Sequence, residues 1–252
     1  MKKYYRLLNY ELISIIKPFI AICLVTIISP LLLLNRAMQN YGNHHDRFEN
    51  VYLKSGCIIA FAICFAALCG LCIKNIYGNY WGSKSIYTLM TLPVKKEIIY
   101  FSKLTAFFIC FIGLIAAQLL SVFLGYAFFA PTLLRTISGI VHYPRMHNGL
   151  FLAFIRSDFL RILLPLSIEG LISSLSVLIT VVSSIYYAAL CERSHRFGGF
   201  ILITAAIILI IYTLSQRIDM NGNLYLMSLV LLLFSIFFIW HSIRLIKRSA
   251  IV

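Results

Sequence analysis

The chain has 252 residues and is too apolar for an ordinary soluble domain. Hydrophobic residues make up 61% of it and charged residues only 12%, whereas a soluble domain carries roughly a quarter charged residues. The formal net charge of +14 is spread over separate loops, so it indicates membrane topology and contact with anionic lipid rather than nucleic-acid binding.

Six apolar runs are each long enough to cross a bilayer as a helix. A helix rises ~1.5 Å per residue, so about 18 to 20 residues span a hydrocarbon core of ~30 Å. The runs lie at about 18–34, 56–73, 104–130, 163–190, 198–215 and 224–241. We therefore predict an all-α membrane protein with six transmembrane helices and a single transmembrane domain over residues 1–252.

The basic residues predict the orientation of these spans. An even number of spans places both termini on one side, and most of the 22 Lys and Arg residues fall on that side. Because basic residues concentrate in cytoplasmic loops, we expect both termini to be cytoplasmic. The outer connections are then 35–55, 131–162 and 216–223, and we expect 131–162 to form either an interfacial helix or a gate.

The segment before the first span, residues 2–17, has an amphipathic pattern. One helical face carries basic and polar residues and the other carries apolar ones: Lys2, Arg6, Asn9 and Lys17 against Tyr5, Leu8, Leu12 and Ile16. This pattern predicts an N-terminal interfacial amphipathic helix that lies along the inner membrane surface. The alternative is a disordered basic tail.

A basic insert, residues 83–103, separates the second and third apolar runs. It carries four lysines, and the dipeptide Leu92-Pro93 lies in its middle. Because Pro93 disfavours helical geometry at Leu92 and suits a first helical turn, we expect a short helix, a break and a second helix that continues into the third span. The alternative is an ordinary basic loop.

Within this insert, the stretch Leu89-Met90-Thr91-Leu92-Pro93-Val94-Lys95-Lys96 resembles the L-x-T-L-P-[IV]-basic segment of ABC-2-type permeases. These are the membrane subunits of many bacterial ABC exporters. The residue-level resemblance is confined to this stretch, whereas the layout of six spans, an interfacial N-terminal helix and short basic loops extends it to the whole chain. The minimal connection 216–223 departs from larger relatives, which enlarge it.

The resemblance implies a cytoplasmic coupling helix between the second and third spans that docks on a separate ATP-binding subunit. Its docking residues would be Tyr87, Leu89, Met90, Thr91, Leu92, Pro93, Lys95 and Lys96. It also implies two copies of that subunit and a second permease chain, as a homodimer or with a paralogous permease. ATP and Mg would then bind the partner ATPase, and this chain would hold no cofactor.

No catalytic motif is visible in the sequence. The one lookalike of a phosphate-binding loop, Gly78 to Lys84, has a Ser directly before its Lys and lacks the G-x-x-x-x-G-K-[ST] spacing. No Cys or paired acidic residue stands at ligand spacing beside the loop histidines, as a metal site would require. We therefore predict a transport subunit rather than an enzyme, with no catalytic, cofactor-binding or metal-binding residue.

Small residues recur at steps of three and four along the third span. They are Ala106, Cys110, Gly113, Ala117, Ser121 and Gly125. Small side chains on one face let helix backbones approach closely in lipid. We expect this helix-packing face to contact another helix of the same chain or of the partner permease.

The fourth span carries polar residues on one face. They are Glu169, Ser173, Ser176, Thr180, Ser183 and Tyr187. A lipid-facing Glu at a helix centre would cost at least ~2.5 kcal/mol, so we expect this seam to line the translocation path between two permease chains. The alternative is a contact between helices, because Ser and Thr also bond back to their own helix.

Together these features predict the permease subunit of an ATP-driven ABC exporter for an amphipathic or hydrophobic substrate, such as a peptide. It would be a multi-pass protein of the bacterial cytoplasmic membrane, in contact with the lipid bilayer. The main alternative is a secondary transporter of hydrophobic compounds that is driven by an ion gradient. An intramembrane enzyme and a membrane scaffold are the remaining alternatives.

Overall fold

A computed structural model describes residues 2–40, 48–81, 96–137, 149–194, 198–219 and 223–248. These residues form nine helices and no strand, so the all-α prediction is confirmed for them. In chain order the helices are α1 (Lys2–Asn40), α2 (Phe48–Lys54), α3 (Cys57–Trp81), α4 (Lys96–Ile137), α5 (Gly149–Arg156), α6 (Asp158–Leu163), α7 (Ile168–Arg193), α8 (Gly198–Asp219) and α9 (Leu224–Arg248).

Six of these helices are long and apolar enough to cross a membrane, as the sequence predicts. The candidate spans are Lys3–Ala37, Cys57–Gly78, Glu97–Phe128, Ile168–Arg193, Gly198–Ile218 and Leu224–Lys247. A helix suits such a span because it satisfies its own backbone hydrogen bonds, which lipid cannot do.

The first helix differs from its prediction. α1 runs without a break through Pro18 for 39 residues, about 58 Å at ~1.5 Å per residue. A separate interfacial helix that ends at residue 17 is therefore not confirmed. The buried face of this segment also differs from the predicted apolar face. Glu11 and Ile15 are buried by the rest of the chain, whereas Tyr5 and Ile16 of the predicted apolar face are exposed.

The fourth predicted span begins later than the sequence indicates. The apolar run from residue 163 is interrupted, since α6 ends at Leu163 and α7 begins at Ile168. Pro165 explains the break, because a residue before proline is pushed out of helical geometry, and Leu164 has an extended backbone. Ser167 then caps α7 by accepting a hydrogen bond from the Gly170 amide at 3.1 Å.

The described residues divide into two compact units. The first consists of the described residues within Met1–Phe19, Leu68–Phe111 and Pro165–Val252. Within it α7, α8 and α9 pack on one another. The Thr180 hydroxyl shares its proton between the Ser176 carbonyl oxygen of its own helix, at 2.7 Å, and the Leu231 carbonyl oxygen of α9, at 3.1 Å. The rings of Tyr187 and Phe238 also stack between α7 and α9, at 5.0 Å.

The second unit consists of Ile20–Ala67 and Ile112–Leu164. Its core packs aromatic and aliphatic side chains from α1 to α6 around Tyr52, which is fully buried. Gln118 Nε2 donates a hydrogen bond to the Tyr52 hydroxyl at 2.6 Å. Burial, and to a lesser extent Cys57, raises the pKa of Tyr52, so the phenol stays neutral at physiological pH.

Candidate functional site

In the first unit, five helices carry acidic side chains or the side chains that contact them. The whole chain has only eight Asp and Glu residues against 22 Lys and Arg. Five of the eight lie within this unit, among them Glu11 on α1, Glu97 on α4 and Glu192 on α7. Each of these three contacts a side chain of another helix.

Glu11 makes the most buried of these contacts, with an exposed fraction of 2%. Asn75 Nδ2 on α3 donates a hydrogen bond to Glu11 Oε2 at 3.3 Å. Lys103 Nζ on α4, itself 4% exposed, lies 3.8 Å from Glu11 Oε1. Tyr4 and Thr105 share a further hydrogen bond between α1 and α4, at 2.7 Å between their oxygens.

Two other contacts join the remaining helices. Glu97 and Lys247 form an ion pair between α4 and α9, and the Tyr77 hydroxyl on α3 donates to the Glu192 carboxylate on α7. Lys247 and Glu97 are 59% and 40% exposed, so water screens their attraction more than that of the Glu11 pair.

These contacts form a closed series of helices. Glu11 and Lys103 join α1 to α4. Glu97 and Lys247 join α4 to α9, and α9 packs directly on α7. Glu192 and Tyr77 join α7 to α3, and Asn75 and Glu11 join α3 to α1, which closes the series. We call this set the polar collar, with the residues Glu11, Asn75, Tyr77, Glu97, Lys103, Glu192 and Lys247.

The polar collar holds both helices that flank the predicted docking segment. α3 ends at Trp81 and α4 begins at Lys96. Asn75 and Tyr77 lie before the first of these ends, and Glu97 and Lys103 lie after the second, all within about two helical turns. Residues 82–95 thus join two helix ends that collar contacts fix to α1, α7 and α9.

The predicted docking residues themselves lie almost entirely outside the described residues. This applies to Tyr87, Leu89, Met90, Thr91, Leu92, Pro93 and Lys95, and to the coupling helix they would form. Lys96 is described as the first residue of α4. Their docking role therefore stays a prediction.

The polar seam of α7 is packed inside the chain. Its buried members are Ser173, Ser176, Thr180, Ser183 and Tyr187. Thr180 and Tyr187 contact α9. The hydroxyls of Ser176, Thr180 and Ser183 also donate hydrogen bonds to carbonyls of their own helix, at 2.9, 2.7 and 3.1 Å. This arrangement favours the interpretation as a contact between helices over a translocation path.

Glu169 lies apart from these five side chains, in the first turn of α7. It is partly exposed, and the partial positive charge of a helix N-terminus stabilises a carboxylate there. The helix N-terminus and partial exposure therefore account for a carboxylate at this position without a role in the translocation path. Glu11 also lies within a candidate span, Lys3–Ala37.

The small-residue face of α4 is largely buried within the chain. Ala106, Cys110, Ala117, Ser121 and Gly125 are buried and Gly113 is half-buried. In the second unit Ser121 donates a hydrogen bond to the Ile27 carbonyl oxygen at 3.3 Å. A Cβ atom at Gly125 would lie 2.8 Å from Leu34 Cδ1. This part of the face contacts α1 of the same chain.

Sequence reasoning missed the polar collar. One signal was present in the sequence. Acidic residues are scarce in this basic chain, so each Glu that lies near a helix end with basic residues is a candidate for an ion pair. Among the described residues no group of three or more His, Cys, Asp or Glu side chains is placed to hold a metal ion. Comparisons with protein-family models, with curated proteins and with solved structures found no match for this chain.

Proposed function

We propose that the chain is the permease subunit of an ATP-driven exporter. It acts with a second permease chain and with two copies of a separate ATP-binding subunit, which bind ATP and Mg. The proposal is supported by six helices that are long and apolar enough to cross a membrane and by the resemblance of residues 89–96 to ABC-2-type permeases. Residues 2–17 contact the inner membrane surface on their exposed side.

The polar collar is the observation that carries this proposal. An ATP-binding subunit that moves residues 83–95 pulls on Trp81 and Lys96, and hence on α3 and α4. Because the collar joins these helices to α1, α7 and α9, the displacement reaches all five helices. Helices transmit such displacement as stiff bodies that shift or rotate against their neighbours.

The substrate is amphipathic or hydrophobic, such as a peptide. The candidate spans have few charges, so they offer a mainly apolar environment, and a strongly charged cargo would lose its hydration there. The proposed location is the bacterial cytoplasmic membrane with both termini in the cytoplasm, where ATP is available to the partner.

One observation favours the alternative, a secondary transporter driven by an ion gradient. Ionisable side chains inside membrane spans commonly serve ion coupling, and Glu11 and Lys103 lie within candidate spans. Both, however, lie near the ends of those spans, whereas coupling sites of secondary transporters lie near the membrane midplane. The exporter is therefore the better supported function.

The test uses the full chain, affinity-tagged and isolated from its own membranes in mild detergent. We expect an ATP-binding protein with a phosphate-binding loop to co-purify in equal molar amount and to hydrolyse ATP. Replacing Thr91, Leu92 and Pro93 with Ala should abolish co-purification while leaving membrane insertion intact. Arg36→Glu, which changes an exposed charge at the other end of α1, is the control.

Two results would contradict the proposal. In the first, no ATP-binding protein co-purifies with the wild-type chain, and export stops when the proton gradient is collapsed but not when ATP is depleted. That result would support the secondary transporter. The other is an ATP-binding protein that remains bound to the triple Ala variant as tightly as to Arg36→Glu.

A further inference from the structure

We propose that Glu11 is a positioning residue that sets the spacing of the two helix ends from which the docking segment leaves. A single carboxylate contacts both flanking helices. Its Oε2 accepts the hydrogen bond from Asn75 on α3, and its Oε1 faces Lys103 on α4. No residue of the docking segment itself is needed for this contact.

The register of the two contacts supports this role. Asn75 lies six residues before Trp81, and Lys103 lies seven residues after Lys96. At ~1.5 Å per residue, Asn75 and Lys103 therefore lie about 9 Å and 10.5 Å along their helix axes from Trp81 and Lys96. Both partners of Glu11 therefore lie within about two helical turns of residues 82–95, so a shift of α1 would move α3 and α4 together.

The charge of Glu11 serves a purpose that an apolar side chain would not. Burying two opposite charges costs desolvation, and well-packed apolar residues often stabilise a protein as much or more. A buried charged pair instead fixes the position of α1 against α3 and α4, because Glu11 reaches both partners at only one rotation and one height of α1. Asn9 is exposed two residues away, so the polar contact is specific to one face of α1.

The spacing role stands on the observed contacts, whereas its consequence for transport rests on the proposed function. In the exporter, Glu11 aligns the docking segment so that ATP hydrolysis is productive. Loss of this alignment should lower the kcat of the partner ATPase by about tenfold. The KM for ATP should not change, because the nucleotide site lies on the partner.

The first experiment measures spacing directly. Spin labels are attached at Gly78→Cys and Phe101→Cys in a cysteine-free chain in lipid nanodiscs. A Cβ added at Gly78 would meet no other atom within 4 Å, and Phe101 is 40% exposed. We expect Glu11→Ala and Lys103→Met to replace a single narrow distance distribution with a broad one. Asn9→Ala is the control and should leave the distribution unchanged.

Further variants guard against simple misfolding. Glu11→Gln keeps the shape and the acceptor oxygen for Asn75 but loses the charge, so it should broaden the distribution less than Glu11→Ala. The exchanged pair Glu11→Lys with Lys103→Glu should recover part of the narrow distribution. If Glu11→Ala, Glu11→Gln and Lys103→Met all match Asn9→Ala, Glu11 does not set the spacing and the inference is wrong.

The second experiment measures ATP hydrolysis by the same variants in the assembled complex. If wild-type chain binds no ATP-binding protein, the proposed function fails while the distance measurement still decides the spacing role. If the complex forms and Glu11→Ala hydrolyses ATP with the kcat of Asn9→Ala, the positioning role in coupling is wrong and the proposed function stands. A tenfold loss of kcat at constant KM supports both.

Discussion

At the scale of single residues, Glu11 and Lys103 place opposite charges where water barely reaches, since they are 2% and 4% exposed. Each charge is tolerable because the other is present, and the Asn75 amide satisfies a further carboxylate lone pair. Removal of either partner leaves an uncompensated buried charge, which is costlier than the pair itself.

We expect Glu11→Ala or Lys103→Met to lower the free energy of unfolding by about 3–5 kcal/mol. The double variant Glu11→Leu with Lys103→Met should lose less than either single variant, because it leaves no orphan charge. Denaturant titration in detergent, followed by circular dichroism, measures these changes as a double-mutant cycle. Asn9→Ala should stay within about 0.5 kcal/mol of wild type. Additive losses would contradict a coupled pair.

Two adjacent glycines at the start of α8 give a second test at this scale. A Cβ at Gly199 would overlap Cys191 Sγ and lie 2.9 Å from the Tyr187 hydroxyl, whereas Gly198 has nothing within 4 Å. Gly199→Ala should therefore destabilise the packing of α8 on α7 by about 1–3 kcal/mol. Gly198→Ala, the control, should be neutral or slightly stabilising. Equal effects in thermal unfolding would contradict this close approach.

At the scale of helices, the existence of the six long apolar helices was predictable, but some of their ends were not. Hydropathy locates a span because lipid requires an apolar helix. It does not show that Pro165 splits the fourth run, or that α1 continues through Pro18. The Glu11–Asn75 contact joins residues 64 positions apart, and such pairing depends on how helices pack, which local patterns do not contain.

The seam of α7 shows the same limit. Its residues share a helical face, as their spacing predicts, but spacing does not reveal what covers that face. Thr180 bonds to Leu231 of α9 and Tyr187 stacks on Phe238, so a neighbouring helix of the same chain covers at least part of it. A path lined by these side chains would require α7 and α9 to separate.

We expect Thr180→Val to weaken the α7–α9 contact modestly, by about 0.6 kcal/mol and at most about 1.7 kcal/mol. Ser176→Leu should destabilise the chain more strongly, because it forces a large side chain into a fully buried position. Unfolding and export are measured together. A Ser176→Leu variant that is stable and assembled yet inactive in export would restore the seam as a translocation path.

At the scale of the whole molecule, we expect the polar collar to lie at the cytoplasmic side of the membrane. Single cysteines at three exposed positions test this in a cysteine-free chain: Asn9, Arg36 and Asn223. An impermeant maleimide should label positions 36 and 223 from outside intact cells, and position 9 only after permeabilisation. Labelling of position 9 from outside would reverse the orientation and place the collar away from ATP.

The most direct test of the exporter is whether the segment between α3 and α4 contacts an ATP-binding subunit. A photo-crosslinking amino acid is placed at Leu89 of the full chain and, as a control, at Arg36. After illumination in native membranes, we predict a covalent adduct between position 89 and a protein with a phosphate-binding loop, and none from position 36. Absence of that adduct at position 89, or an equal yield from both positions, would contradict the proposal that this chain is driven by ATP.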